Sequence, residues 1–150
     1  AYAEAHYQLG TACFGLHRYT EAFEAYNSAV RYDPANVDAC FSLGVLSSMM
    51  GKNEIAIDAL KKAVKLNPQY EKAHYTLGNI YSETGKQKEA VESYKMAVKA
   101  NPNLVEAHHR LGLLYLKAND KNSARKEYEI LKKLDNDLAA DLANRLKGEE

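Results

Sequence analysis

Pro34, Pro68 and Pro102 stand 34 residues apart, and Gly10, Gly44, Gly78 and Gly112 keep the same interval. Leu9, Leu43, Leu77 and Leu111 precede the glycines, and Ala22, Ala56, Ala90 and Ala124 form a further column. One unit is therefore written four times, over residues 3–36, 37–70, 71–104 and 105–138. A period of this size argues against a single globular centre. It specifies an array in which each unit buries its apolar face on its neighbours.

Each unit reads as two helices joined by a tight turn. In the third, Ala73, Leu77, Ile80 and Tyr81 fall at i, i+4, i+7 and i+8, one apolar stripe on a first helix. Ala90, Val91, Tyr94, Ala97 and Val98 draw the matching stripe on a second. Gly85 lies between them, where a left-handed residue ends the first helix; Gly51, Asn119 and His17 hold that place elsewhere, histidine being the poorest fit. The second helix stops at Asn101 because proline disfavours helical geometry in the residue before it, and Asp33–Pro34 and Asn67–Pro68 repeat the signal. Small residues at Gly78 and Ala90 are expected to let the two helix backbones approach closely.

The two ends differ. Unit four has Asn136 in place of the proline, and Leu131 where the others have Ala29, Ala63 and Ala97. Asp137 is the expected cap of a last helix over residues 137–147, with Leu138, Leu142 and Leu146 on one apolar edge and Asp141, Asn144, Arg145 and Lys147 on the polar remainder. At the other end the first helix brings Tyr2, Tyr7, Phe14 and Leu16 to an edge without visible cover. The expected cover is an upstream repeat or another copy of the chain, so a homo-oligomer through the N-terminal repeat is one possible state.

Lys plus Arg number 20 and Asp plus Glu number 20, so no bulk charge gathers nucleic acid or an anionic membrane. Only the first unit is clearly acidic. No apolar run is long enough to span a bilayer. Cys13 and Cys40 lack metal or redox spacing and read as buried thiols. The compartment stays open, with the cytoplasm favoured.

His6, Cys40, His74 and His108 form a column of zinc-ligand types, but equivalent residues of stacked units are separated by about the 8–10 Å between packed helices, too far for one ion. His108 and His109 point to different faces of one helix. No nucleophile–base pair, elbow or phosphate loop is visible, so the chain reads as non-enzymatic, with no cofactor and no metal.

The unit resembles the tetratricopeptide repeat, whose WxxLGxxY, AxxxF and closing P pattern spans 34 residues. The likeness rests on "HYTLGNIY" ending at Tyr81 and "HRLGLLY" ending at Tyr115, although Cys13 and Ser47 replace that tyrosine in the first two units and the tryptophan place holds the His/Cys column. It implies an all-α, right-handed superhelical solenoid of four helix-turn-helix units plus a C-terminal capping helix. It also implies a concave face, lined by the first helices, that takes a peptide of a partner protein. On that face the expected site residues are Tyr7, Phe41, Tyr75 and His109 as a ladder, with Lys72, Thr76, Asn79 and Arg110 as its polar and basic part. Asn79 would hold peptide backbone, and Asn79→Ala with Arg110→Ala is expected to weaken binding while sparing thermal stability. The family's two-carboxylate clamp is not supported. Its five places hold Tyr7, Thr11, Ser42, Lys72 and Thr76 over units one to three, and Phe41, Val45, Thr76, Glu106 and Arg110 over units two to four. The leading expectation is a protein-interaction scaffold or adaptor. The alternatives are a substrate-recruiting module of a larger enzyme, such as a glycosyltransferase or prolyl isomerase, and a self-assembling structural scaffold.

Overall fold

The computed structural model describes residues 2–148, and among them every regular element is a helix: α1 (Tyr2–Gly15), α2 (Tyr19–Tyr32), α3 (Val37–Met49), α4 (Asn53–Leu66), α5 (Glu71–Glu83), α6 (Gln87–Ala100), α7 (Val105–Lys117), α8 (Lys121–Leu134) and α9 (Asn136–Gly148). Helices pair within each repeat, α1 with α2 through α7 with α8, and each second helix also lies against the first helix of the next repeat. The result is an all-α solenoid.

The turn inside each repeat is the same device four times. His17, Gly51, Gly85 and Asn119 adopt φ of 59°, 73°, 78° and 57°. The amides of Arg18, Lys52, Lys86 and Asp120 then donate to the carbonyls of Cys13, Ser47, Tyr81 and Tyr115 at 2.9, 2.8, 2.8 and 2.8 Å, which ends the first helix with its carbonyls satisfied. Between repeats, Asp33, Asn67 and Asn101 each accept a hydrogen bond from the amide two residues on, at 3.0, 3.1 and 3.1 Å. The short polar side chain before each proline thus builds the turn that the proline enforces.

The glycine column answers to a side chain. A Cβ at Gly10 would lie 2.6 Å from the Tyr26 ring, at Gly44 2.5 Å from Leu60, and at Gly78 2.5 Å from Tyr94. The expectation of backbone against backbone is refined accordingly: the glycine admits a large residue of the second helix, and at Gly44 the Ala56 carbonyl is also close, at 3.3 Å.

At Gly112 the fit changes hands. Its nearest neighbours are atoms of Leu142 on α9, at 2.5 Å, instead of Tyr128, which follows Gly112 by the interval that separates Gly78 from Tyr94. The linker differs here as well, with Asn136 in the place of the proline. Asp135 alone joins α8 to α9, and its Oδ1 accepts from the amides of Asp137 and Leu138, both at 3.0 Å. Asp135 is therefore the cap, not Asp137, and the last helix runs from 136 to 148 instead of 137 to 147. Leu142 is fully buried, with Leu138 and Leu146 half-buried beside it.

Ala90 is 0% exposed between the helices of repeat three. Ala90→Leu should lower unfolding stability by about 1–3 kcal/mol, read as a reduced urea midpoint with an unchanged slope.

Candidate peptide-binding groove

The first helices place Tyr7, Phe41, Tyr75 and His109 at one position of successive repeats. All are half-buried. Tyr7 packs on Tyr26 at 5.8 Å between centroids, Phe41 on Tyr70 at 4.8 Å and Tyr75 on Tyr94 at 5.7 Å, so each aromatic rung is braced by a second ring. His109 is held differently. Its Nε2 donates to Asp141 Oδ2 at 2.7 Å, and Arg145 Nε donates to the same oxygen at 3.0 Å. Those bonds, Arg145 first and His109 second, hold the Asp141 carboxyl below its ordinary range. The fourth rung is thus tied to α9, a tertiary contact that no spacing announces.

Asn79 also has a structural task. Tyr94 is 1% exposed, and its hydroxyl donates to Asn79 Oδ1 at 2.7 Å. Burial pushes the Tyr94 phenol up, Arg110 opposes the shift, and Tyr75 and Glu83 add to it. Asn79 keeps its amide hydrogens for another partner. In repeat one the same places hold Tyr26 and Thr11, whose hydroxyls are 3.4 Å apart. Thr76 Oγ1 donates to the Lys72 carbonyl at 2.8 Å, which ties it to its own helix. Lys72 and Arg110 are exposed and take part in no ion pair among the described residues.

Two hollows of opposite character open on this face. One, of about 120 Å³, lies between repeats one and two and is lined by Phe14, Tyr26, Phe41, Ser42 and Val45. The other, of about 160 Å³, lies between repeats three and four, with Tyr94, Leu113 and Leu114 as walls and Ser82, Arg110 and Lys117 as polar groups. The structure thus brings Tyr94 and Arg110 together with Asn79, adds Lys117, and sets His109 apart. Tyr26, Tyr94 and Lys117 escaped the sequence reading because the two tyrosines sit on the second-helix packing stripe, where their register looks purely structural.

The tryptophan-place column has a chemical logic that its spacing hides. Cys40 Sγ donates to the Pro34 carbonyl at 3.9 Å, His74 Nε2 to Pro68 at 3.1 Å and His108 Nε2 to Pro102 at 2.9 Å. A donor in this column anchors the preceding proline turn. His108, 5% exposed, meets a second acceptor, for its Nδ1 lies 2.7 Å from Glu127 Oε2. The imidazolium, with both ring N–H groups, satisfies the two acceptors at once. Burial pushes the His108 pKa down, yet the bonds to Glu127 and the Pro102 carbonyl and the charge of Glu127 outweigh it and leave the pKa above its ordinary value. The Cys40 thiol is pushed up, first by burial, with Lys62 opposing and Asp33 adding. It is therefore a protonated packing group. No group of three metal-binding side chains occurs among the described residues, and none of their helices is long and apolar enough to cross a membrane.

Family models of the tetratricopeptide repeat match residues 3–36 and 105–138, and a TPR repeat model matches residues 49–85 and 78–119. No curated protein matches the sequence. Among solved structures, a crystal structure of MamA superposes with a TM-score of 0.85 and 27% identity, covering 92% of this chain and 81% of that one. MamA from Desulfovibrio magneticus RS-1 gives a TM-score of 0.79 at 22% identity, with 90% and 76% covered. YrrB, described as a TPR protein with an unusual peptide-binding site, gives 0.81 at 22% identity, with 95% and 74% covered. The last two likenesses speak to the fold alone.

Because Tyr94 would lose its acceptor, Asn79→Ala should by itself cost about 1–2 kcal/mol in urea unfolding, against the expectation that the Asn79→Ala and Arg110→Ala pair spares stability. His108 generates a pH dependence. A raised folded pKa adds stability that is complete below the ordinary value of 6.5 and lost as pH rises through the folded value. The melting temperature of the protein relative to His108→Gln should therefore keep its full margin below pH 6.5 and lose it as pH rises through the raised folded pKa.

Proposed function

The chain belongs to the tetratricopeptide repeat family, and from that premise we propose that the face formed by α1, α3, α5 and α7 holds an extended peptide segment of a partner protein, the chain acting as a non-catalytic scaffold or adaptor. The observation that carries this reading is the hollow between repeats three and four. There Arg110 and Lys117 stand exposed beside Tyr94 and Leu113, in no ion pair among the described residues. A guanidinium without a carboxylate, next to apolar walls, suits an acidic side chain or terminus whose neighbour is apolar. Lys72 lengthens the basic side, and the amide hydrogens of Asn79 suit a peptide carbonyl. The apolar hollow between repeats one and two takes a hydrophobic side chain of the same peptide. YrrB, a structure of this fold, is described as having a peptide-binding site, which supports a peptide as the ligand class.

Selection of a displayed peptide library on the full chain tests this. Selected peptides should combine acidic and apolar residues, and Arg110→Glu should weaken them by tenfold or more while leaving the melting temperature unchanged, since Arg110 is exposed and unpaired. Ala90→Leu should do the reverse. Full affinity of the Arg110→Glu variant would remove the groove assignment.

A further inference from the structure

Two columns of the repeat lose bulk along the stack. On the second helices the series runs Phe23, Ile57 and Val91, and at the C-caps of the first helices that follow it runs Met50, Thr84 and Ala118. The burial of their neighbours changes with them. Tyr81 is 8% exposed, whereas Tyr115, the same residue one period later, is half-buried. Leu46 and Ile80 are each 1% exposed, whereas Leu114, in their column, is half-buried. Where the smallest pair meets, a hollow of about 500 Å³ opens between α6 and α7, walled by Val91, Leu114, Tyr115 and Ala118. It lies at an inner junction of the array, with packed helices on both sides.

The hollow also holds an unanswered polar atom. Gln87, the first residue of α6, lines it, and its Oε1 is buried with no hydrogen-bond partner among the described residues. An acceptor left unmade is costly, which favours an occupant that brings a donor over a wholly apolar one. Charge is already settled around the rim: Glu92 pairs with Lys95 at 2.9 Å, Asp120 accepts from the Ser123 amide at 3.0 Å, and Lys88 points to solvent as an exposed side chain. What remains is an apolar chamber with one free acceptor. A tryptophan side chain answers both features, a large apolar ring with a single N–H donor and no acceptor of its own. Gln87 and Leu114 line the hollow beside Arg110 and Lys117 as well, so this chamber and the candidate groove share a wall.

We propose that the hollow between α6 and α7 is the anchor site for a tryptophan of the partner peptide, its indole ring lying against Val91, Leu114 and Tyr115 and its N–H donating to Gln87 Oε1. The site depends on the groove reading for the peptide that carries the tryptophan. The acidic group meets Arg110 and Lys117, and the indole lies on the other side of Gln87. The hollow thereby adds a preference for one residue type to a groove that otherwise selects charge and apolarity.

The chain contains no tryptophan, so the emission of an added indole reports the ligand alone. N-acetyltryptophanamide titrated into the full chain should show a saturable blue shift, with methyl NMR shifts at Val91 and Leu114. N-acetylphenylalaninamide, whose ring lacks the N–H, should bind about threefold more weakly or worse. Gln87→Leu should erase that difference without lowering the melting temperature, because Oε1 has no partner to lose. Val91→Phe with Ala118→Met, which restores the residues of the first junction, should abolish binding in a chain that still melts at the same temperature or higher. Arg110→Glu should leave the affinity for the amide unchanged, and a tryptophan added to an acidic peptide selected on the groove should tighten it about threefold or more. Absence of saturable binding by the amide would overturn the proposal, as would equal binding of the two amides, undiminished binding by the filled variant, or a selected peptide that gains nothing from tryptophan. Binding of the amide to a chain that selects no peptide would instead remove the groove reading and uphold the indole site.

Discussion

Everything in this solenoid hangs on the fit of one large side chain against a position without a Cβ. Tyr26, Leu60 and Tyr94 each lie where a methyl group on Gly10, Gly44 or Gly78 would stand, and that contact sets the separation of the two helices in a repeat. Once it is set, the alanines at Ala22, Ala56 and Ala90 must be small, and each is 0% exposed. A close-packed interior leaves no room for another choice. Because each repeat touches only its neighbours, the same local fit has to be made anew in every unit, which is why it appears as columns.

The end of the array is a variation on that contact. The prolines at 34, 68 and 102 hold consecutive repeats four residues apart in helical terms, from Tyr32 to Val37, Leu66 to Glu71 and Ala100 to Val105. Where the proline is lost, Asp135 serves at once as the end of α8 and the cap of α9, and the last helix starts early. Leu142 then reaches Gly112 and closes the stack with a polar outer surface, while Asp141 takes His109.

The candidate groove shows how packing and recognition share residues. Tyr94 fills the space over Gly78, rests against Tyr75, and donates its hydroxyl to Asn79, so Asn79 is at once a candidate groove residue and the acceptor for a buried phenol. Arg110, Lys72 and Lys117 are exposed and take part in no ion pair among the described residues. His108 is the opposite case. It reads as a substitute for a large aromatic residue, yet its two ring nitrogens join the Pro102 turn to Glu127 on α8.

The sequence by itself determined the fold class, the four units, their turns and the columns that pack, because those features follow from local geometry repeated at a constant interval. It also named the candidate ladder and the candidate basic residues, which one helical register places on one face. Only the tertiary structure decided which of those residues are free. That Asn79 is engaged by Tyr94, His109 by Asp141 and His108 by Glu127, and that Asp135 caps α9, depends on side chains brought together from different helices. The same holds for the exposure of Leu9 against the burial of Leu43, Leu77 and Leu111: identical residues in identical registers differ because burial is a property of what lies next to a helix, and a one-dimensional period does not record a neighbour.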